Sequence, residues 1–388
     1  MKHLFKNAFM LTFIILCISM MLTNTQDIMG AVNDAVVLWA TKVFPVLFPF
    51  FIFTTLAIRL GVIHFIGEFL KPLTKLLFKT SSVSGFVVLF SVISGNPSSA
   101  IIITELLNEK MITKKEAQHL MTFTVFINPL FCIGTIGYSY FNNVSIGYII
   151  LTAHILGNII LGILLRFKAN FTDDIRVSVR SAYQKMNTQL ISNNKTIGEI
   201  VTDILQKGIN TMFIICGFMI FFSILTRIML KIKLIDYSFF ILRPVLTLFN
   251  ISYEIYSSVF IGMFEMVIGA NYTIGQDIPL RSMITLLTML ISFGGFSIHS
   301  QINSILYKTK LKYAPFLLGR LAHMVISGIL AYLIFPFFYK EVTSDVSLIN
   351  RVQVPEKSLV LFTIITLIIL TLLQFIHMAK GRFTLRSN

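Results

Sequence analysis

Long apolar runs separated by short charged segments make up most of this chain, and two of the runs are interrupted in the middle. Residues 83–93 and 100–107 are mostly apolar, but Ser94-Gly95-Asn96-Pro97-Ser98-Ser99 stands between them. Gly95 opens backbone angles closed to other residues, Pro97 removes a donor, and Asn96 and the serines compete for backbone hydrogen bonds, so a helix is expected to break there. A second interruption falls in residues 259–271, where Gly262 and Gly269 flank Glu265. Irregular backbone at membrane depth is tolerated only where protein buries it or where it lines a wet cavity.

Around the two breaks the pattern predicts an ordered series of helices. Lys2 and Lys6 precede an apolar run at 8–22 that looks like a signal sequence. No small-x-small cleavage pattern follows, and the run is long enough to span, so an uncleaved first helix is expected. Asp27 and Asp34 then fall in an outside segment. A span at 43–60 comes next, then an amphipathic interfacial helix at 65–78 with Lys71, Lys75 and Lys79 at every fourth position. After the first break, helices at 117–138 and 146–165 complete one half. A polar connection, 166–207, reads as a cytoplasmic loop rather than a folded domain.

The second half repeats that order. It has a span at 209–230, an apolar and partly charged segment at 234–249, the break at 259–271, and helices at 283–300 and 315–335. Leu70-Lys71-Pro72-Leu73 corresponds to Leu242-Arg243-Pro244-Val245, and His154 to Asn158 corresponds to Phe316 to Arg320. The shared order points to a duplication. The chain then divides into an N-terminal helix and outside segment (1–42), a first repeat (43–168), a linker (169–207), a second repeat (208–337), and a C-terminal helix and tail (338–388). The last helix, 359–378, lies outside the repeat.

Charge decides whether the broken stretches cross the membrane. If both enter and leave on one face, with the N-terminus inside, 21 basic residues lie in cytoplasmic segments and 9 outside. If both cross, the division becomes 15 and 15, and the positive-inside bias vanishes. Re-entrant hairpins are therefore expected. Residues 82–93 agree, since twelve helical residues span about 18 Å, half of a hydrocarbon core of about 30 Å. Each repeat then has three true crossings, an odd number, so the repeats are inverted relative to each other. The fold class expected is an all-α polytopic membrane protein, an inverted repeat with two re-entrant broken hairpins and about eight full transmembrane helices.

Composition agrees with that class: of 388 residues, 55% are hydrophobic and 13% charged. The net charge of +15 is spread between apolar spans rather than gathered in one stripe, which argues against nucleic acid as a partner. Cys17, Cys132 and Cys216 lie in apolar segments without CxxC spacing, so neither a disulfide framework nor a metal site is expected. No cofactor motif is present. HExxH, GxSxG, P-loop and GxGxxG patterns in their required context are also missing, so no enzyme is expected.

Several short motifs stand where the breaks and their neighbours do: Ser94-Gly95-x-Pro97, Asn128-Pro129-Leu130-Phe131, His154-x-x-Gly157-Asn158, Gly262-x-Phe264-Glu265 and Gly295-Phe296-Ser297-Ile298-His299-Ser300-Gln301. Together they resemble the YlbJ family of sporulation integral membrane proteins. That family carries the nucleoside recognition or Gate domain, shared with spore maturation proteins and related to nucleoside and ferrous-iron transporters. The resemblance covers about residues 44–335. It implies an endospore-forming bacterium and a role in making the spore; with the charge count above, a multi-pass protein of the cell membrane with both termini cytoplasmic is expected. It also implies an unidentified small solute, nucleoside-like or ionic, and as protein partners a second copy or other sporulation membrane proteins. Ile127-Asn128 stands where the family pattern suggests Ser-Asp, which removes a carboxylate from that position.

Ionisable residues in membrane spans are costly, so each is a candidate. Glu265 leads, either as a site for a cation, proton or amine or as a structural partner for Arg320. Ser94, Gly95, Asn96, Pro97, Ser98, Asn128, His154, Asn158, Gly262, Gly295, Ser297 and Arg320 complete the candidate binding set. The alternative for the polar ones is bonding between helices. Glu105 reads as solvated near an interface, Arg59 as snorkelling to the surface, and His299 to Gln301 as the end of a helix. Two functions compete: a transporter-like protein that moves a small solute, and a non-transporting assembly factor for the spore envelope or cortex. A polar cavity between the hairpins favours the first, an apolar filled core the second.

Overall fold

The computed structural model describes residues 2–168, 179–192 and 196–339. Among these the chain is mostly helical and contains no strand. The elements are α1 (Lys2–Thr23), α2 (Thr25–Leu38), a π-helical turn (Trp39–Val43), α3 (Phe44–Arg59), α4 (Val62–Phe78), α5 (Val83–Ser94), α6 (Ser98–Asn108) and α7 (Lys114–Phe123). A π-helical segment (Phe131–Tyr140), α8 (Val144–Leu165), α9 (Val179–Ser192), α10 (Ile197–Lys231), α11 (Leu234–Leu248), α12 (Tyr253–Phe264) and α13 (Met266–Ile274) follow. The last are α14 (Leu280–Phe293), α15 (Gly295–Thr309) and α16 (Tyr313–Phe338). This is a polytopic, all-α membrane protein.

Among the described residues four stretches are apolar and long enough to span, α8, α10, α14 with α15, and α16; counting each of three sharply bent pairs, α1–α2, α3–α4 and α11–α12, as one span brings the number to seven. The helix expected at 359–378 lies outside the described residues.

Both broken stretches form hairpins. The first enters and leaves at one end of the molecule, and Glu116 proves it. One carboxylate oxygen of Glu116, at the start of α7, accepts from the Ser81 backbone N–H at 2.8 Å and from the Ser84 hydroxyl at 2.7 Å, at the start of α5. The entrance to α5 and the exit from α6 therefore lie side by side. In the second hairpin α12 packs along α13, and a side-chain carbon at Gly269 would stand 2.1 Å from the Gly262 Cα. Only glycine lets those two arms approach so closely.

Three expectations need correction. Residues 117–138 and 283–300 are not continuous helices: the first opens into extended chain between α7 and the π-helical segment, and the second breaks at Gly294-Gly295, both at positive φ. Pro129 withholds a donor, and the paired glycines lower the cost of the turn. The linker is also more than a loop, because α9 packs on α4 and Gln189 donates to the Ile58 carbonyl at 2.8 Å. Finally, residues 25–38 form α2, whose Ile28, Ala31 and Ala35 are buried, and α2 packs on α10.

The interfacial helix turns its charge inward. Lys71 is buried and paired with Glu68 at 3.2 Å, while Phe65, Phe69 and Leu76 are exposed. Against lipid that is the stable orientation: paired charge inside, apolar surface outside. α4 meets α3 at 90°.

Candidate functional site

In each half the tip of the hairpin meets the broken helix that follows it. Gly95, at φ +78°, lies so close to the Asn128 backbone that an added side chain would stand 2.5 Å from its nitrogen. Asn128 secures that meeting: its Nδ2 donates to the Ser94 carbonyl at 3.2 Å, and its Oδ1 accepts from the Leu130 N–H at 2.7 Å. In the other half, Gly295, at φ +69°, sits against Met266 N and the Gly262 carbonyl, which an added side-chain carbon would meet at 3.0 and 3.1 Å.

Between these tips lies a cavity of about 530 Å³. Asn96, Pro97 and Asn128 border it from the first half of the chain, Glu265, Ser297 and Gln301 from the second. Thr41 and Lys42, in the turn after α2, also line it. Its remaining wall is mostly apolar, including Leu47, Ile215 and Phe131. Two buried acceptors on it are unpaired, Asn96 Oδ1 and Gln301 Oε1. Buried polar atoms without partners are rare and costly, so these two are where a ligand is best received.

Glu265 is the residue on which the second hairpin turns. It is extended (φ −138°, ψ 113°) between α12 and α13, and its carboxylate caps α13 by accepting from the Ile268 N–H at 2.6 Å. A carboxylate at a helix N-terminus meets unpaired N–H groups and the positive end of the helix dipole. Glu265 is buried, yet it faces the cavity.

Arg320 is not its partner. The guanidinium donates to the carbonyls of Thr122 and Val125 and to Asn158 Oδ1, each at 2.9 Å, and to His323 Nδ1 at 3.0 Å. Asn158 Nδ2 donates to Val125 O at 2.9 Å, and the Ile127 N–H donates to His154 Nε2 at 3.0 Å. Every one of these backbone groups belongs to the end of α7 or to the extended chain after it. The break strips that segment of helical hydrogen bonds at membrane depth, and His154, Asn158 and Arg320 replace them. The ring protons follow: His154 Nε2 accepts, so its proton sits on Nδ1 toward Ser292 Oγ, and His323 donates from Nε2 to the His154 carbonyl.

The candidate set therefore divides. Asn96, Pro97, Asn128, Glu265 and Ser297 line the cavity. His154, Asn158 and Arg320 form a sealed network beside it. Ser94, Gly95, Ser98, Gly262 and Gly295 shape the tips: Ser94 Oγ bonds back to the Phe90 carbonyl at 2.6 Å, and Ser98 N–H donates to the Gly95 carbonyl at 3.0 Å. Sequence reasoning missed Gln301, which is no helix end but the second turn of α15. It also missed His323, although one helical turn places it on the same face as Arg320. Arg59 does not simply snorkel and Glu105 is not simply solvated, because Arg59 pairs with Glu105 at 2.6 Å and with Glu109 at 2.7 Å. Among the described residues no cluster of His, Cys, Asp or Glu could hold a metal ion.

Fold and site define a membrane protein built around two broken hairpins whose tips share one cavity. Residues 40–146 match the family described as Gate: Nucleoside recognition. Over 336 residues, 84% of this chain and 82% of the relative, the sequence is 29% identical to the sporulation integral membrane protein YlbJ of Bacillus subtilis (strain 168). No solved structure matches.

Proposed function

We propose that the chain acts in endospore formation as a transporter-like protein of the bacterial cell membrane, binding a small solute, nucleoside-like or ionic, between its hairpin tips. The cavity carries this reading. Its volume falls in the range of small-molecule sites, its walls are mostly apolar, and its polar groups come from both tips. Two unpaired acceptors and a carboxylate suit a ligand that donates hydrogen bonds or bears positive charge. The similarity to YlbJ supports the sporulation role and not the identity of the solute. Inverted repeats with broken helices meeting at the midplane are the architecture of many secondary transporters.

The inverted topology rests on the charge distribution, with support from contacts at the two ends. Gln118 and Lys312 exchange hydrogen bonds of 2.8 and 2.7 Å, which joins two basic turns assigned to the cytoplasm. Lys231 and Asp27, both assigned outside, pair at 2.6 Å. Cysteines at Lys114 and Lys185 are expected to be labelled from the cytoplasmic face; labelling from outside would remove the topology.

Function is tested by Glu265→Gln. The amide keeps an acceptor for the Ile268 N–H and removes the charge. Expected are normal abundance in the membrane, normal vegetative growth and a spore yield at least tenfold lower. Normal spore yield with normal abundance would overturn the binding role and leave the assembly-factor reading in its place.

A further inference from the structure

Glu265 borders a second cavity, of about 450 Å³, on the side away from Asn96 and Asn128. Asp34, Ser223, Thr226, Arg227 and Asn271 stand on its walls. Four residues border both cavities: Leu38, Met219, Val267 and Glu265. Three apolar side chains and one carboxylate therefore form the partition.

The two spaces lie in series, and two helices show it independently. Along α10, Ile215 and Met219 face the first cavity, then Met219, Ser223, Thr226, Arg227 and Leu230 face the second. Along the N-terminal segment, Ala31, Asp34, Ala35 and Leu38 face the second cavity, then Leu38, Thr41, Lys42, Val43 and Leu47 the first. Both runs change over at a residue of the partition. From Ile215 to Leu230 is about 22 Å of helix, most of a hydrocarbon core. The second cavity ends near the Asp27–Lys231 pair, which marks one end of the molecule.

We propose that the two cavities are successive chambers of one path for a small cation, divided at Glu265 and opening at the end of the molecule that carries Asp27 and Lys231. Among the described residues no basic side chain lies within ion-pair distance of Glu265. A cation reaching the partition gains a carboxylate that is held by the Ile268 N–H but paired with no basic side chain, whereas an anion is repelled there. Leu38 comes from the segment before the repeats, so α2 supplies part of the barrier between the chambers. This inference rests on the reading of the first cavity as a solute site and adds the ion class and its route.

The test uses the full chain with Cys17, Cys132 and Cys216 replaced by alanine, in sealed vesicles of both orientations. Single cysteines replace Asn271 in the second chamber and Thr135 in the first. The probes are a trimethylammonium-bearing methanethiosulfonate and its sulfonate counterpart, applied from the Lys231 side. Asn271→Cys is expected to react promptly. Thr135→Cys is expected to react slowly, and Leu38→Ala or Met219→Ala to raise its rate with the cationic probe at least tenfold. Glu265→Gln is expected to remove a preference of at least fivefold for the cationic probe. Replacing choline with sodium should slow labelling of Thr135→Cys if the natural ion is a metal cation; if it is a proton, mild acid should slow Thr135→Cys more than it slows Asn271→Cys, whose loss of thiolate is the control. Unchanged rates in both partition variants, or equal rates for the two probes with Glu265 intact, overturn the path. Should Glu265→Gln lose spore formation while leaving every labelling rate unaltered, the path fails and the solute site stands.

Discussion

Glu265 and Arg320 both lie buried inside the helix bundle, and the protein treats them in opposite ways. Arg320 is 1% exposed and spends its guanidinium on two carbonyls, an amide oxygen and a ring nitrogen. Glu265 is 6% exposed, caps one helix and faces two cavities. A charge in the membrane is thus not itself a sign of a site. What distinguishes the two is where they face: Arg320 repairs a helix break through its two terminal nitrogens and leaves only Nε without a partner, while Glu265 makes a break and turns its carboxylate to the cavities.

The sharpest way to break this comparison is Arg320→Met. It leaves the Thr122 carbonyl and Asn158 Oδ1 without their donor, and each orphaned buried group costs about 1–3 kcal/mol. Membrane abundance, read by immunoblot, is expected to fall at least tenfold. Arg320→Lys should recover little, because one ammonium cannot reproduce the planar fork. Normal abundance of Arg320→Met would mean that the network does not hold the break.

Gly269→Ala comes next, since its methyl carbon would collide with the backbone of Gly262. Overpacking of this kind costs about 1–3 kcal/mol. The thermal transition of the detergent-solubilised protein should drop by several degrees, with the second hairpin the first part to become protease-sensitive.

Asn96→Ala sharpens the contrast from the other side. It removes a buried acceptor that has no partner, so stability should be unchanged or slightly higher, while spore yield falls as it does for Glu265→Gln. A stability loss like that of Arg320→Met would make Asn96 structural. The smallest effect is expected for Glu109→Ala, which removes one half-exposed ion pair with Arg59 and should cost under about 1 kcal/mol without altering spore yield.

The hairpins were legible before any coordinates. Residues 82–93 read as a half-span, and α5 is Val83–Ser94; the break around Glu265 reads as lying between two glycines and does so. Helices α8, α11 and α16 fall close to their expected bounds. The breaks in 117–138 and 283–300 were not legible, because each sits inside an otherwise helical apolar run. Glycine and proline in such runs often produce only a kink. The two roles of the candidate residues were equally hidden. Nothing in the types or spacing of His154, Asn158 and Arg320 separates a cavity wall from a sealed network.

What the sequence determined by itself is the class of molecule and the places where its helices must stop. Hydrophobic length, basic bias, glycine and proline act locally, and each can be read within a few turns of chain. Tertiary structure alone decided that Asn96, Asn128, Glu265, Ser297 and Gln301 share one cavity, and that α2 helps divide it from a second. Those residues are up to about two hundred positions apart, and their meeting depends on which helices pack together. It also decided that Arg320 serves the broken end of α7 rather than Glu265, since that choice follows from where the break after α7 exposes carbonyls to α16.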